Sequence, residues 1–263
     1  MATPLTDSIN ALTQYANEVT GQSDTNLSDA VHTLASGYGG GSDELTLGVG
    51  LNPSFMNILF PSSVKTLIIE SLIENQNNGR LPSFILDSFR NNAETESIIL
   101  NYGTHKPVNV IDSFRGSAYS TIKKIVLDVD LSRCISWDRF LYGTAQSQGI
   151  EITGTPINFS AMTKWSDVIR LKGLKEIRFA PNTLSVSPTI ADTYNNMFSD
   201  ETWVSFANCF NDSINGTVTV GSNAISTITH IMGNNDNGTF VADENGTMTL
   251  ADFITNVKGW TLV

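Results

Sequence analysis

The sequence predicts an α/β solenoid, with short parallel strands stacked on one wall, irregular or helical return segments behind them, and a small helical segment in front. Three observations predict it. Aliphatic bursts recur with the period of stacked repeats, an aromatic phrase recurs nearly in phase with them, and the residues ahead of both carry a helical period instead.

The helical segment comes first. From Thr6 to Val19, Ile9, Leu12, Ala16 and Val19 recur at helical spacing, with Thr6 or Asp7 as a cap and Gly21 as a stop. A second short helix is expected from Ser28, with Val31, Leu34 and Ala35 on one face and Gly37 ending it. The expected division is a helical module over 1–36, a hinge over 37–44 built on "GYGGG", and a repeat domain over 45–263. Three consecutive glycines pack nothing and lose much backbone entropy on ordering, which is why the break is placed there.

The bursts follow. "VKTLII", "TESIIL", "IKKIVL", "SQGIEI" and "LKEIRF" have central apolar residues at Leu67, Ile98, Ile125, Ile150 and Ile177, steps of 31, 27, 25 and 27 residues. Their last two apolar positions are two apart, so both point to one side of a short strand. The phrase aliphatic-Asp-Ser-Phe-Arg appears in "LDSFRNN" and again in "IDSFRGS", 25 residues on. Phe89, Phe114, Phe140 and Val168 keep that step, and each is expected to return the chain to the core from the opposite wall. One such unit cannot bury its own apolar face, so neighbours must stack.

On these residues the chain resembles leucine-rich repeat proteins, and among them the BspA-like class, over roughly residues 60 to 220. Ile, Val and Phe replace Leu, no Asn ladder is present, and Pro82 in "LPSFILDSF" is the one remnant of the class's usual Ile-Pro. The head, "LTDSINALTQYANEVTGQSDTNLSDAVHTLASGYG", looks like a module that opens phage and prophage tail-associated proteins of gut Firmicutes. The tail, "FSDETWVSFANCFNDSINGTVTVGS" and "NVKGWTLV", resembles the terminal unit of BspA-like proteins in that setting, so a capping unit is expected over about 199–263.

Composition removes other classes. Hydrophobic residues are 40% and charged residues 16%, which is a folded chain. A net charge of −11 with 15 Lys and Arg excludes a phosphate-gripping surface, so no nucleic acid is expected. No apolar run of membrane-spanning length occurs, and "MATPLTDSIN" has neither the basic nor the apolar part of a signal peptide. Cys134 and Cys209 are too few for a disulfide framework and read as small buried apolar residues.

Chemistry is sparse. His32, His105 and His230 stand without partners at metal or nucleophile spacing. Asp128 and Asp130 in "DVD" follow a strand and are expected on its solvated side. "GNNDNGTFVADENGT" places Gly233 where a calcium loop needs its first Asp, and its Asn-Gly pairs read as tight turns. No cofactor, no metal and no catalytic residue is called for.

One row resists the bland reading. Between the last two core positions of the aligned bursts stand Ile68, Ile99, Val126, Glu151 and Arg178, facing away from the core. A solvated face should be polar along its length, so the N-terminal helices, a neighbouring subunit in a homo-oligomer, or a ligand is expected to cover the first three. Glu96, Asn101, Tyr102, Lys123, Asp128 and Glu176 are expected to form a polar rim. The resemblance then implies a non-catalytic binding protein of a phage or prophage tail, attached to tail or baseplate components by its head and recognising a bacterial surface protein or glycan with this face. A BspA-like bacterial surface adhesin is the alternative, and a glycan-degrading tail enzyme is a third that would need an acid pair in a cleft.

Overall fold

The computed structural model describes residue 14 and residues 43–49, 65–71, 84–85, 96–111, 113–117, 122–144, 149–191 and 198–263. The expected helices of 1–36, the glycine run and the phrase "LDSFRNN" lie outside them, apart from Gln14. Glu44, counted as the last hinge residue, already opens a strand.

The described chain is a parallel-strand solenoid of about four turns. Six strands stack in one sheet: β1 (Glu44–Val49), β2 (Thr66–Ser71), β4 (Ser97–Asn101), β6 (Lys124–Asp128), β8 (Ile150–Gly154) and β10 (Leu174–Glu176). Between them the chain visits a second sheet, β3 (Phe84–Ile85), β5 (Phe114–Ser117), β7 (Leu141–Thr144) and β9 (Ile169–Lys172). From β2 to β9 each coil therefore gives one strand to each sheet. The expected irregular or helical returns are, in these segments, short parallel strands, because each return pairs with the one a coil earlier: Phe114 opposite Leu141, and Leu141 opposite Ile169.

Two inward rows make the core. Leu67 and Ile69, Ile98 and Leu100, Ile125 and Leu127, and Ile150 and Ile152 line the first sheet, none more than 3% exposed. Phe114, Leu141, Ile169 and Leu171 line the second. Phe114, Phe140 and Val168 are buried as expected, although Phe114 stands opposite Leu141 and not Phe140. An aromatic file runs between the walls from Phe114 through Phe140, Trp137, Phe159, Phe179, Phe206 and Phe210 to Trp260, with neighbouring centroids 4.8 to 5.7 Å apart. Most contacts are edge-on, the arrangement that the ring quadrupole favours.

A helix closes the far end. α1 (Asp200–Cys209) is capped by Ser199, whose hydroxyl accepts from the Thr202 amide, and Asp200 and Glu201 sit in its positive first turn. A last strand leaves amide and carbonyl groups unpaired. Here side chains of α1 take them: the Thr202 hydroxyl accepts from the Ile177 amide and donates to the Lys175 carbonyl, while the Ser205 hydroxyl accepts from the Phe179 amide at 2.8 Å. Three residues further on, Asn208 accepts from the Phe240 amide and donates to its carbonyl. One helix thus joins the solenoid to the hairpin of β13 (Met232–Asp236) and β14 (Thr239–Ala242). Asn237 and Gly238 turn that hairpin with positive φ, as the Asn-Gly pair predicts.

The rest of the cap is a parallel sheet of β11 (Thr189–Ile190), β12 (Thr217–Val220) and β16 (Thr261–Leu262). It is accompanied by α2 (Ser222–Ile228), β15 (Met248–Thr249) and α3 (Leu250–Asp252), which runs on through a π-type turn over Phe253–Val257.

Candidate functional site

Parallel register decides what lies on the outer face of the first sheet. Thr46, Ile68, Ile99, Val126 and Thr153 stand opposite one another in successive strands. Ile68, Ile99 and Val126 are half-buried. On one side runs the row Thr66, Ser97, Lys124, Glu151, and on the other Glu70, Asn101, Asp128, where the Asn101 amide meets the Glu70 carboxylate at 3.5 Å. A three-residue aliphatic strip between two polar rows is the result.

The expected face is therefore assembled in part. Ile68, Ile99 and Val126 are neighbours, and Glu96, Asn101, Lys123 and Asp128 are exposed beside them. Glu151 is on the face but opposite Lys124, two residues from its expected place, because Ile152, not Ile150, pairs with Ile125. Glu176 is opposite Glu151 across a register irregularity, and Arg178 lies beyond β10, where its carbonyl accepts from the Ile157 amide. Tyr102 corrects the expectation outright: it is 5% exposed and belongs to the core. Leu100 points in and Asn101 out, so Tyr102 turns in again, and burial raises its phenol well above the ordinary value.

Charges order the start of the strands. Lys65 meets Asp43 at 2.9 Å, Lys123 meets Glu96 at 2.8 Å and Lys175 meets Glu151 at 3.3 Å. From β1 to β6 the signs alternate along one row, Asp43, Lys65, Glu96 and Lys123, while Glu151 and Lys175 pair one residue out of that row. Exposed pairs of this kind contribute at most about 1 kcal/mol each.

The residues that might have carried chemistry are occupied structurally. Asp128 is exposed, while Asp130 meets Lys106 at 2.6 Å and accepts from the Ser132 amide. Burial would raise the Asp130 carboxyl, but the bonds from Lys106 and Ser132 outweigh it and hold the group below its usual range. His230 shares a hydrogen bond with the Ser226 carbonyl at 2.6 Å. Both cysteines are free and buried. Among the described residues, no three of His, Cys, Asp and Glu cluster so as to hold a metal, and no helix is long and apolar enough to cross a membrane.

A second concave surface, at the corner where coils enter the second sheet, has no counterpart in the sequence reading. Arg139 and Asp167 hold matching places in successive coils, and both have positive φ, 54° and 51°. Asp167 is a residue type that enters this region readily, but Arg139 is not, and it costs about 1–2 kcal/mol of backbone strain. At the same corner the Ser166 hydroxyl donates to Asp138 at 2.8 Å, Arg170 meets Asp167 at 2.8 Å, and the Arg170 guanidinium lies 5.3 Å over the Tyr142 ring.

The fold defines a parallel β-solenoid with a mixed helical and stranded cap. Comparison with family models, curated proteins and solved structures finds no match to this chain.

Proposed function

We propose that the chain is a non-catalytic binding protein of the phage or prophage tail type, which recognises a bacterial surface through the outer face of its six-stranded sheet. The observation that carries this reading is the aliphatic strip Ile68–Ile99–Val126, set between rows of exposed polar and charged side chains. A central apolar patch with a polar rim is how specific interfaces are built. Strands held on both sides by neighbours present that patch rigidly, so little ordering entropy is lost on binding.

The test is adsorption of labelled protein to gut Firmicutes cells. Val126→Arg, which puts a charge into the strip without touching the core, is expected to reduce adsorption at least about tenfold, in keeping with loss of a central contact. Adsorption equal to that of the unchanged chain would remove the face from consideration. Incubation with cell-wall polysaccharide is expected to release no reducing ends, and release at a measurable rate would overturn the non-catalytic reading.

A further inference from the structure

The corner groove is a different surface from the sheet face, and its geometry restricts what it can hold. Two open cavities of about 390 and 370 Å³ meet at Ser166. Trp165, Asp167 and Arg170 line the first, and Ile135, Asp138 and Lys164 line the second. Asp138 and Ser166 hold the same place in successive coils, so the groove runs along the solenoid axis and meets a new coil about every 4.8 Å. Such a cleft suits a linear ligand lying across several coils.

Its walls are amphipathic at short range. Trp165 is half-buried, and its indole N–H is already given to the Thr189 carbonyl at 3.1 Å. Phe159 and Phe206 pack on it, so the ring is held still and offers the groove apolar surface. Ile135, 55% exposed, offers more on the other side of Ser166. Between them stand hydroxyl, carboxylate and guanidinium groups. A pyranose has the matching character, with C–H faces that lie against an indole and a rim of hydroxyls that both donate and accept.

Charge narrows the class. The carboxylates Asp138 and Asp167 are paired with Arg139 and Arg170, and Lys164 leaves the groove a single net positive charge in a chain of net charge −11, so its own field is weak. A polyanion would be repelled by the whole and a polycation would find no acidic track. We propose that this groove binds a neutral oligosaccharide along the solenoid axis. Sugar faces lie against Trp165 and Ile135, and ring hydroxyls bond Ser166, Asp138, Asp167 and Arg170. The site stands or falls separately from the sheet face, since Val126 is in a strand of the first sheet and Trp165 is in the segment that leads into the second.

The chain carries its own reporter. Of its four tryptophans, Trp137, Trp203 and Trp260 are 2 to 3% exposed, so acrylamide quenching of intrinsic fluorescence reads Trp165. Cellohexaose, maltohexaose, mannohexaose and hexa-N-acetylchitohexaose would each be added to the full chain at about 10 mM, enough to fill a millimolar site. Protection of Trp165 by at least one of them is expected. Thr163→Arg, an exposed position on the groove, is expected to weaken that hexamer at least tenfold while the circular dichroism and melting temperature stay unchanged. Absence of protection by all four, equal binding by Thr163→Arg, or tighter binding of hexagalacturonate than of any neutral hexamer would each overturn the proposal.

Discussion

The indole of Trp260 stacks on the ring of Phe210 with centroids 4.8 Å apart and planes 20° from parallel, and its N–H donates to the Asn211 carbonyl at 2.9 Å. Gly216 lies so close to the indole that a Cβ there would come within 2.3 Å of it. Trp260, three residues before the last described residue, is thus wedged between the end of α1 and the start of β12. Trp260→Ala is expected to cost about 3–5 kcal/mol, the range for deleting a large buried aromatic. Urea unfolding followed by circular dichroism measures it, and a loss below about 1 kcal/mol would mean that the cap is not held by this wedge.

Gly154 ends β8 with φ of +96°, and a Cβ on it would meet the Leu127 carbonyl oxygen at 2.5 Å. That carbonyl also accepts from the Thr155 amide at 2.7 Å, so it cannot retreat without breaking the ladder. Gly154→Ala is expected to destabilise by roughly 2 kcal/mol or more, combining left-handed strain with overpacking. Gly103 also has positive φ but nothing within 4 Å of its Cβ direction, so Gly103→Ala serves as the control and is expected to lose less.

Lys258 is 1% exposed, bonds the Asn182 side-chain oxygen and lies 5.7 Å from the Phe253 ring centroid. Burial lowers its ammonium below the ordinary 10.5, although Asp212 and Cys209 pull the other way. The unfolded chain therefore holds this proton more tightly than the folded one. The cost of the buried charge is complete below the folded pKa and fades as pH rises toward 10.5, so stability from this group increases with pH in that window. Lys258→Met is expected to be as stable as the unchanged chain or more so near neutrality, since Asn182 is exposed and can turn to water. Urea midpoints across the alkaline window should climb in the unchanged chain relative to the variant; parallel curves would rule out the linkage.

Burial pushes the Cys134 thiol up to about 12, against the opposing effect of backbone hydrogen bonding with Ser136 and Val110, and pushes Cys209 well above its ordinary value. Thiolate is the reactive form, so neither should react with a disulfide reagent at neutral pH while the chain is folded. Both should react in denaturant, at the rate of unfolding. Fast labelling of one thiol in the native state would show that its coil opens locally.

How much could be read beforehand follows from which contacts are local. Leu67 and Ile69, Ile98 and Leu100, and Ile125 and Leu127 were legible because strand parity is written in adjacent residues. The place of Glu151 was not. Ile150 and Ile152 satisfy the same parity, and only the Glu151 amide bonding the Lys123 carbonyl decides between registers two residues apart. The return strands "FRGS", "LYGT" and "IRLK" are four residues each, too short to show a period, and exist because of the neighbouring coil. Thr202, Ser205 and Asn208 do carry a signal, three polar residues at steps of three on an otherwise apolar helix face, and it marks where α1 meets other chain segments. The groove left none, since Asp138 and Ser166, Ile135 and Trp165 are brought to it by the stacking of successive coils and not by any local pattern.

The alternating charges at the strand starts make the solenoid a sequence with a parity of its own. Asp43, Lys65, Glu96 and Lys123 head successive strands, followed by Glu151 and Lys175. Excising the single coil that begins at Glu96 would bring Lys65 beside Lys123, turning favourable pairs into a repulsion of a few tenths to about 1 kcal/mol. Excising the next coil as well would set Lys65 opposite Ile150 and Thr66 opposite Glu151, which removes the repulsion without forming a new pair. Over the four strand heads from Asp43 to Lys123, removal of two neighbouring coils therefore avoids the like-charge contact that removal of one creates, so the rod tolerates a change of two coils better than a change of one.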